Sequence, residues 1–335
     1  MVLLFFMIRT IRFWLHNARY IALPQSLLPA LLAICMAMQT DSFSWQLAII
    51  AFIGVAFVHL AANLTDDYFD YRKNKVLISQ QNLPTVSPIR KGKCNYLITN
   101  SVTKKQLIKA ILLLFLLGSI CAGIIFAYRG IIILYFVLIT GFFSISYAGF
   151  PFSLSYHGLG EIIIGFIFGP LLMLGVYFSA SGSFSPAILI VSLIIGSLVC
   201  NILLSHSIMD IEADKSIRKR TLAVVLKKQS LMLAVAFLLS IFPYLILTYG
   251  IIKEYLNPYY GFVFCLLPFS ILLFYLLFQY VLHPEKKYRK RFWMGPMEQW
   301  NAIEKAGIDQ FMIRWYLARN ICVYFCLIIA IISFL

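Results

Sequence analysis

The chain has 335 residues, 61% of them hydrophobic, and its mean hydropathy of +0.88 is too high for a soluble globular domain. Apolar stretches recur along its whole length, each about as long as the 20 residues that a helix needs to cross a bilayer. The net charge of +15 is explained by membrane topology and attraction to anionic lipid head groups, so it does not indicate nucleic-acid binding. The seven cysteines indicate neither a disulfide framework nor a zinc site.

Nine apolar segments predict nine membrane-spanning helices. We therefore expect an all-α, polytopic membrane protein whose single domain covers residues 1–335. The predicted spans, in chain order, are 20–39, 47–66, 106–127, 131–149, 158–180, 186–208, 230–250, 257–282 and 311–335.

Two polar regions lie outside these spans. Near the N-terminus, Arg9 and Arg12 follow a short apolar run, which is the wrong order for a signal peptide. We expect residues 1–19 to form an interfacial segment with residues 13–15 in the head-group layer. Residues 283–310 form a basic cytoplasmic loop, for which the sequence indicates no role beyond an interfacial helix.

The distribution of basic residues orients the bundle. With the N-terminus in the cytoplasm, 26 of the 28 Lys and Arg residues fall on the cytoplasmic side, and only Arg129 and Lys253 lie outside. This positive-inside bias predicts a multi-pass protein of the cell membrane, with the N-terminus in the cytoplasm and the C-terminus outside.

Two acidic clusters lie at the cytoplasmic ends of apolar helices and hold six of the 13 acidic residues. Ionisable groups near lipid are unfavourable and usually have a function. In the first cluster, helical spacing places Asn63, Asp67 and Asp70 on one stripe, with Asp66 one turn before Asp70. In the second, Asp210 and Asp214 are one turn apart.

Carboxylates this close repel one another unless a divalent cation bridges them, and all-oxygen ligands suit Mg²⁺. We therefore expect Asp67, Asp70, Asp210 and Asp214 to be catalytic metal ligands, together with Asp66. Basic residues that follow the clusters complete a candidate diphosphate site; they are Arg72, Lys73, Arg90, Lys215, Lys219 and Arg220. The alternative is a solvated salt-bridge network. Glu212 is expected to point away from the Asp210/Asp214 face.

Several segments resemble the UbiA superfamily of intramembrane prenyltransferases. NLTDDYFDYRKN resembles the first aspartate-rich motif of the superfamily, and SIMDIEADKSIRKRTLAVVL resembles the second. The branch that prenylates 1,4-dihydroxy-2-naphthoate in menaquinone synthesis is the most similar. ARYIALPQSLLPALL, SPIRKG, YAGFPFSLSYHGLGE and FGPLLMLGVYF resemble the corresponding segments of that branch, in the same order.

The resemblance implies a bundle of nine helices around a central cavity open sideways to lipid. It also implies that Mg²⁺ at the cytoplasmic mouth holds the diphosphate of a polyprenyl donor, and that an aromatic acceptor is prenylated. Asn63, Asp67 and Asp70 match the first motif, and Asp210 and Asp214 match the second. Family cations near the diphosphate correspond to Arg19, Arg90, Lys215, Lys219 and Arg220, and a cavity tyrosine corresponds to Tyr147.

The sequence departs from this branch before the second motif, where His206, Ser207 and Met209 replace an Asn pair and an Arg. His206 could accept a proton from a phenol or hydrogen-bond Asp210. Because of this departure, prenylation of another acceptor remains an alternative: a hydroxybenzoate, a glycerol-based lipid or a porphyrin. Cyclisation of the donor without any acceptor is a further alternative.

A transporter or a binding protein is the alternative outside the enzyme class, although transporters tend to place charge near the membrane midplane. Nothing in the sequence indicates a protein partner.

Overall fold

The computed structural model describes residues 2–79, 94–216 and 218–334, with the side chains of residues 2–8 and 74–79 left out. The described residues contain no strand, and nine of their helices are long and apolar enough to cross a membrane. The expected all-α fold with nine candidate spans is therefore confirmed.

Ten main helices are numbered here in chain order. Their bounds are α1 Val2–Asn17, α2 Pro24–Ala37, α3 Trp45–Ser79, α4 Lys104–Arg129, α5 Ile131–Ala148, α6 Gly160–Ser181, α7 Pro186–Met209, α8 Gln229–Ile252, α9 Pro258–Leu282 and α10 Asp309–Ile332. Shorter helices at the end of the bundle that holds the acidic clusters are Asn95–Ile98, Leu154–Tyr156, Ile211–Ser216 and Leu222–Leu226.

Helix α3 is much longer than the predicted span 47–66. It continues for 35 residues without a break, so the first acidic cluster lies in the middle of a regular helix. In contrast, α7 ends at Met209, and the second cluster lies where the chain turns into the short helix Ile211–Ser216.

Small residues allow α6 and α7 to pack closely. A Cβ atom at Gly169 would lie 2.4 Å from the Cα of Gly196, and one at Gly196 would lie 2.6 Å from the carbonyl oxygen of Gly165. Helix α6 widens into a π-helical turn at Ile167–Leu171, which contains Pro170. Close approach through glycine is a common way to pack helices in membranes. The contact fixes the position of α7, whose C-terminal end leads directly into the second cluster.

The N-terminal segment forms a helix, α1, but two of its aromatic residues point towards the protein. The rings of Phe13 and Trp14 pack edge-to-face on Tyr96, with centroids 6.2 and 6.3 Å away. Leu15 is exposed. Phe13 and Trp14 are half-buried against the short helix Asn95–Ile98. That residues 13–15 lie in the head-group layer stays a prediction.

Residues 283–310 pack along α9 and α10 instead of forming a free loop. Gln310 exchanges two 2.8 Å hydrogen bonds with the backbone of Tyr288. The amide of Asn320 donates to the Met294 carbonyl at 2.9 Å, and Trp300 is buried. The segment contains the short helix Trp300–Lys305. Its position at the membrane interface stays a prediction.

The topology remains a prediction that labelling can test. With the exposed Cys265 replaced by serine, Ser216→Cys should react with a membrane-impermeant thiol reagent only in permeabilised cells, because it follows the second acidic cluster. Ser183→Cys, in the exposed turn between α6 and α7, should react in intact cells. Labelling of Ser216→Cys from outside would mean that the assigned orientation is reversed.

Candidate active site

The first cluster lies on one face of α3, at the end of the bundle where α1 joins α2. Asp67 and Asp70 are 3% and 4% exposed, and Asp66 is half-buried. Charged groups are rarely buried to this degree without partners. The carboxylates therefore depend on the donors around them.

Arg19 supplies positive charge to this cluster. It adopts a left-handed backbone conformation (φ 58°) at the turn before α2. Its Nη2 lies 3.2 Å from Oδ1 of Asp67 and 3.4 Å from Oδ2 of Asp66. The same nitrogen donates to the carbonyl of Asn63 at 2.8 Å, and the Asn63 amide donates to the carbonyl of Ala18 at 2.9 Å. These bonds join α3 to the turn before α2.

Tyr96 holds the other oxygen of Asp67. Its hydroxyl donates to Oδ2 at 3.1 Å, and the Cys94 thiol donates to the Asp67 carbonyl at 3.4 Å. Burial raises the pKa of Tyr96, and the neighbouring Asp67 carboxylate raises it further. The phenol therefore stays protonated and acts as a donor.

In the second cluster, Asp210 and Asp214 are almost fully buried. The amide of Asp214 donates to the carbonyl of Asp210 at 2.8 Å, so the two residues are one turn apart although α7 has ended. The Thr221 hydroxyl donates to Oδ2 of Asp214 at 3.0 Å. Glu212 is 82% exposed and pairs with Lys215 at 2.8 Å. Glu212 therefore points away from the aspartates as expected, and Lys215 lies with it on the exposed side.

Tyr156 connects the two clusters. Its hydroxyl donates to Oδ1 of Asp70 at 2.7 Å. Lys73 lies over its ring at 4.2 Å from the centroid, and Lys219 lies at 5.9 Å. The backbone amide of Lys219 in turn donates to the carbonyl of Asp214 at 2.8 Å. One phenol ring thus brings together the cations that follow each cluster.

Glu161, at the start of α6, holds the loop that carries Lys219. Its carboxylate accepts a hydrogen bond from the Ser207 hydroxyl and bonds of 3.1 and 3.2 Å from the backbone amide of Leu222. The side chain is 4% exposed. It ties together α6, the end of α7 and the helix Leu222–Leu226, which fixes the loop before Leu222.

The remaining candidates are Arg72, Arg90, Arg220 and His206. Arg72 and Arg220 are exposed, and Arg90 lies outside the described residues. His206 lies with Nδ1 3.7 Å from Oδ2 of Asp210 and makes an edge-to-face contact with Phe311 at 5.0 Å. Of the two roles considered for His206, this position favours the partner of Asp210.

A cavity of about 630 Å³ opens from the first cluster into the bundle. Helices α2 to α6 form its wall, with Leu203 from α7, and Arg19, Asn63, Asp66 and Tyr147 lie at its mouth. It follows α3 from Asp66 to Ala51, roughly 22 Å at 1.5 Å per residue. Beyond the mouth the lining is mainly apolar, with the aromatic residues Phe115, Phe136 and Phe168.

The donor chemistry of the two clusters fits Mg²⁺. Within the described ranges, no group of three or more His, Cys, Asp or Glu residues is close enough to hold a metal by itself. Mg²⁺ is commonly bound by one or two carboxylates together with waters and substrate phosphates, so it does not need such a group. The buried aspartates and Asn63 provide oxygen donors of this kind.

A mainly apolar cavity inside a bundle of membrane-spanning helices, with acidic and basic groups at one end, defines the class as a polytopic membrane protein with an internal site. The model of the UbiA prenyltransferase family matches residues 26–301, so the chain belongs to this family and is a prenyltransferase. It is 25% identical over 215 residues to the 1,4-dihydroxy-2-naphthoate octaprenyltransferase of Escherichia coli (strain K12), an alignment that covers 63% of this chain and 67% of the relative.

Solved structures share the fold. The structure of a digeranylgeranylglyceryl phosphate synthase in membranes has a TM-score of 0.61 and 16% identity, with 96% of this chain and 99% of that chain covered. A UbiA homologue from Archaeoglobus fulgidus bound to DMAPP and Mg²⁺ has a TM-score of 0.55 and 13% identity, with 92% and 98% covered.

The matched aspartates in the second cluster provide a test of the site. Asp214→Asn should lower turnover on the order of 100-fold, because the buried amide cannot provide the charge of the carboxylate or fully replace it as the acceptor for Thr221. Glu212→Gln changes an exposed side chain and should leave turnover within about twofold. Steady-state kinetics of the two purified variants compares them. Equal losses would mean that burial does not identify the functional carboxylates.

Proposed function

We propose that the protein transfers a polyprenyl group from polyprenyl diphosphate to a hydroxyaryl acceptor, 1,4-dihydroxy-2-naphthoate, in quinone biosynthesis. The observation that carries this proposal is a mainly apolar cavity that begins at the first acidic cluster. Tyr156 joins that cluster to the cations that follow both clusters. The mouth suits a diphosphate with Mg²⁺, and the cavity suits the hydrocarbon chain. In the proposed orientation, the site lies at the cytoplasmic surface of the cell membrane.

The side chains at the mouth have distinct proposed roles. Asp66, Asp67, Asp70, Asp210 and Asp214 would hold Mg²⁺, which would offset the negative charge that develops on the departing diphosphate, and Asn63 would contact the substrate beside them. Arg19, Lys73 and Lys219 lie where they can donate to diphosphate oxygens. Because these donors are fixed before the substrate binds, they need little rearrangement as the carbon–oxygen bond breaks.

The remaining groups orient these donors and exclude water. Tyr96, Tyr156 and Thr221 hold three of the carboxylates through hydrogen bonds of 2.7–3.1 Å. The apolar wall keeps water from the allylic carbon, where water would compete with the acceptor. Tyr147 at the mouth lies between the acidic cluster and the apolar wall.

The choice of acceptor rests on the relatives. The Escherichia coli relative is a 1,4-dihydroxy-2-naphthoate octaprenyltransferase, and a relative from Synechocystis is a 2-carboxy-1,4-naphthoquinone phytyltransferase. The digeranylgeranylglyceryl phosphate synthase has the same fold, so a glycerol-based acceptor is the alternative to test.

Product analysis tests the proposal directly. Purified protein should be incubated with Mg²⁺, prenyl diphosphates of several lengths, and a panel of hydroxynaphthoate, hydroxybenzoate, glycerol-phosphate and porphyrin acceptors. Mass spectrometry should detect a prenylated naphthoate-derived product. Ionisation of the donor that yields only another prenylated acceptor, or only cyclic hydrocarbons, would refute the acceptor assignment.

We also predict that activity requires both acidic clusters and a divalent metal ion. Asp70→Ala and Asp210→Ala should each lower turnover by about 100-fold or more, because each removes a buried carboxylate from the diphosphate site. EDTA should abolish activity, and added Mg²⁺ should restore it. Full activity of either variant, or of the wild type in EDTA, would contradict the proposed role of the clusters; size-exclusion chromatography checks that the variants are folded.

A further inference from the structure

The cavity wall contains a polar pair, Ser26 and His59, to which the proposed function assigns no contact with the diphosphate or the prenyl chain. Among the described residues that line the cavity, His59 is the only histidine. It is buried on α3 and lies four residues, or about 6 Å along the helix, below Asn63. The hydroxyl of Ser26 on α2 contacts the imidazole of His59.

Ser26 holds one nitrogen of the imidazole. Its hydroxyl oxygen lies 2.6 Å from Nδ1 of His59 and 3.0 Å from the carbonyl oxygen of Leu23. A serine hydroxyl has a single proton. When that proton is on Leu23, Nδ1 is the donor in the short contact and Nε2 of the neutral imidazole carries a lone pair; when it is on Nδ1, Nε2 carries the ring proton.

Nothing in the described part of the chain hydrogen-bonds this second nitrogen. The ring of Phe168 packs against the imidazole, with centroids 5.2 Å apart, and restrains its orientation together with Ser26. His59 lines the cavity, so a bound ligand can reach this ring. Nε2 is therefore a polar atom held in place in a mainly apolar wall.

We infer that His59 is protonated on Nδ1 and that its Nε2 accepts a hydrogen bond from a hydroxyl group of the aromatic acceptor, which positions the acceptor ring. This inference rests on the proposed function. With the diphosphate at the mouth, the reacting carbon of the donor lies just inside it, at about the depth of His59. A lone pair favours an O–H group and disfavours a carboxylate or diphosphate oxygen, so His59 contributes to acceptor specificity.

His206, for which the sequence left a contact with a phenol open, lies elsewhere. It contacts Asp210 and Phe311 and does not line the cavity. The two histidines thus have different surroundings, and the substrate-facing role belongs to His59.

Steady-state kinetics with separate variation of donor and acceptor tests the inference. His59→Ala should lower kcat/KM for the acceptor about tenfold, the effect of one lost hydrogen bond, and leave KM for the prenyl diphosphate unchanged. His59→Gln, whose side-chain oxygen can accept a hydrogen bond, should recover part of the loss. His283→Ala, at an exposed histidine outside the site, is the control and should match the wild type.

Acceptor analogues give a readout that a merely structural role would not change. The wild type should discriminate about tenfold between the dihydroxy acceptor and one of its two monomethyl ethers, and His59→Ala should lose this discrimination. Ser26→Ala, which frees Nδ1, should reduce it while keeping the imidazole. This variant also keeps the test available if His59→Ala does not fold.

The outcomes separate the two proposals. A wild-type enzyme that yields no prenylated hydroxyaryl product would refute the proposed function. A wild-type enzyme that yields this product, with His59→Ala discriminating between the acceptor and its ethers as well as the wild type does, would refute only the role of His59.

Discussion

Four buried aspartates lie at one end of a bundle of apolar helices, where a charge needs donors because an isolated charge is very unfavourable. Arg19 and Tyr96 hold Asp67, Tyr156 holds Asp70, and Thr221 holds Asp214. These donors come from turns and short helices. The turns that the structure describes at this end are therefore tied to the carboxylates.

The two clusters meet this requirement in different ways. Helix α3 continues past its cluster, so helical spacing alone places Asp67 and Asp70 towards the site. Helix α7 ends at Met209, and the short helix that follows presents Asp214 inward and Glu212 outward. Glu161 then fixes the far end of this loop. The second cluster thus depends on tertiary contacts more than the first does.

Much of this arrangement could be predicted from the sequence. Apolar stretches predicted all nine spans, and helical spacing predicted the positions of the aspartates and the outward direction of Glu212. Tyr156 and Tyr96 could not be found in this way, because they lie 86 and 29 residues from the aspartates that they hold. His59 carries no motif of its own; its role depends on the cavity, which only the packing of α2 to α6 defines.

The basic residues show why adjacency along the chain is a weak guide to contact. Arg72 and Lys73 are neighbours, and both are exposed. Successive helical residues point about 100° apart, so Lys73 can lie over the ring of Tyr156 while Arg72 points in another direction. In the second cluster, Lys215 pairs with the exposed Glu212, and Lys219, four residues later, lies over Tyr156. The two lysines proposed to act in the site are thus recognised by their common contact with the ring of Tyr156, which the sequence does not show.

The central claim is that the two clusters act on a single diphosphate. Calorimetric titration of a non-reactive prenyl thiolodiphosphate with Mg²⁺ into the wild type, Asp70→Asn, Asp214→Asn and the double variant tests it most directly. If both clusters hold one ligand, each single variant should lose most of the affinity and the double variant little more. Losses in binding free energy that simply add in the double variant would contradict the account, because they would mean that the clusters act independently.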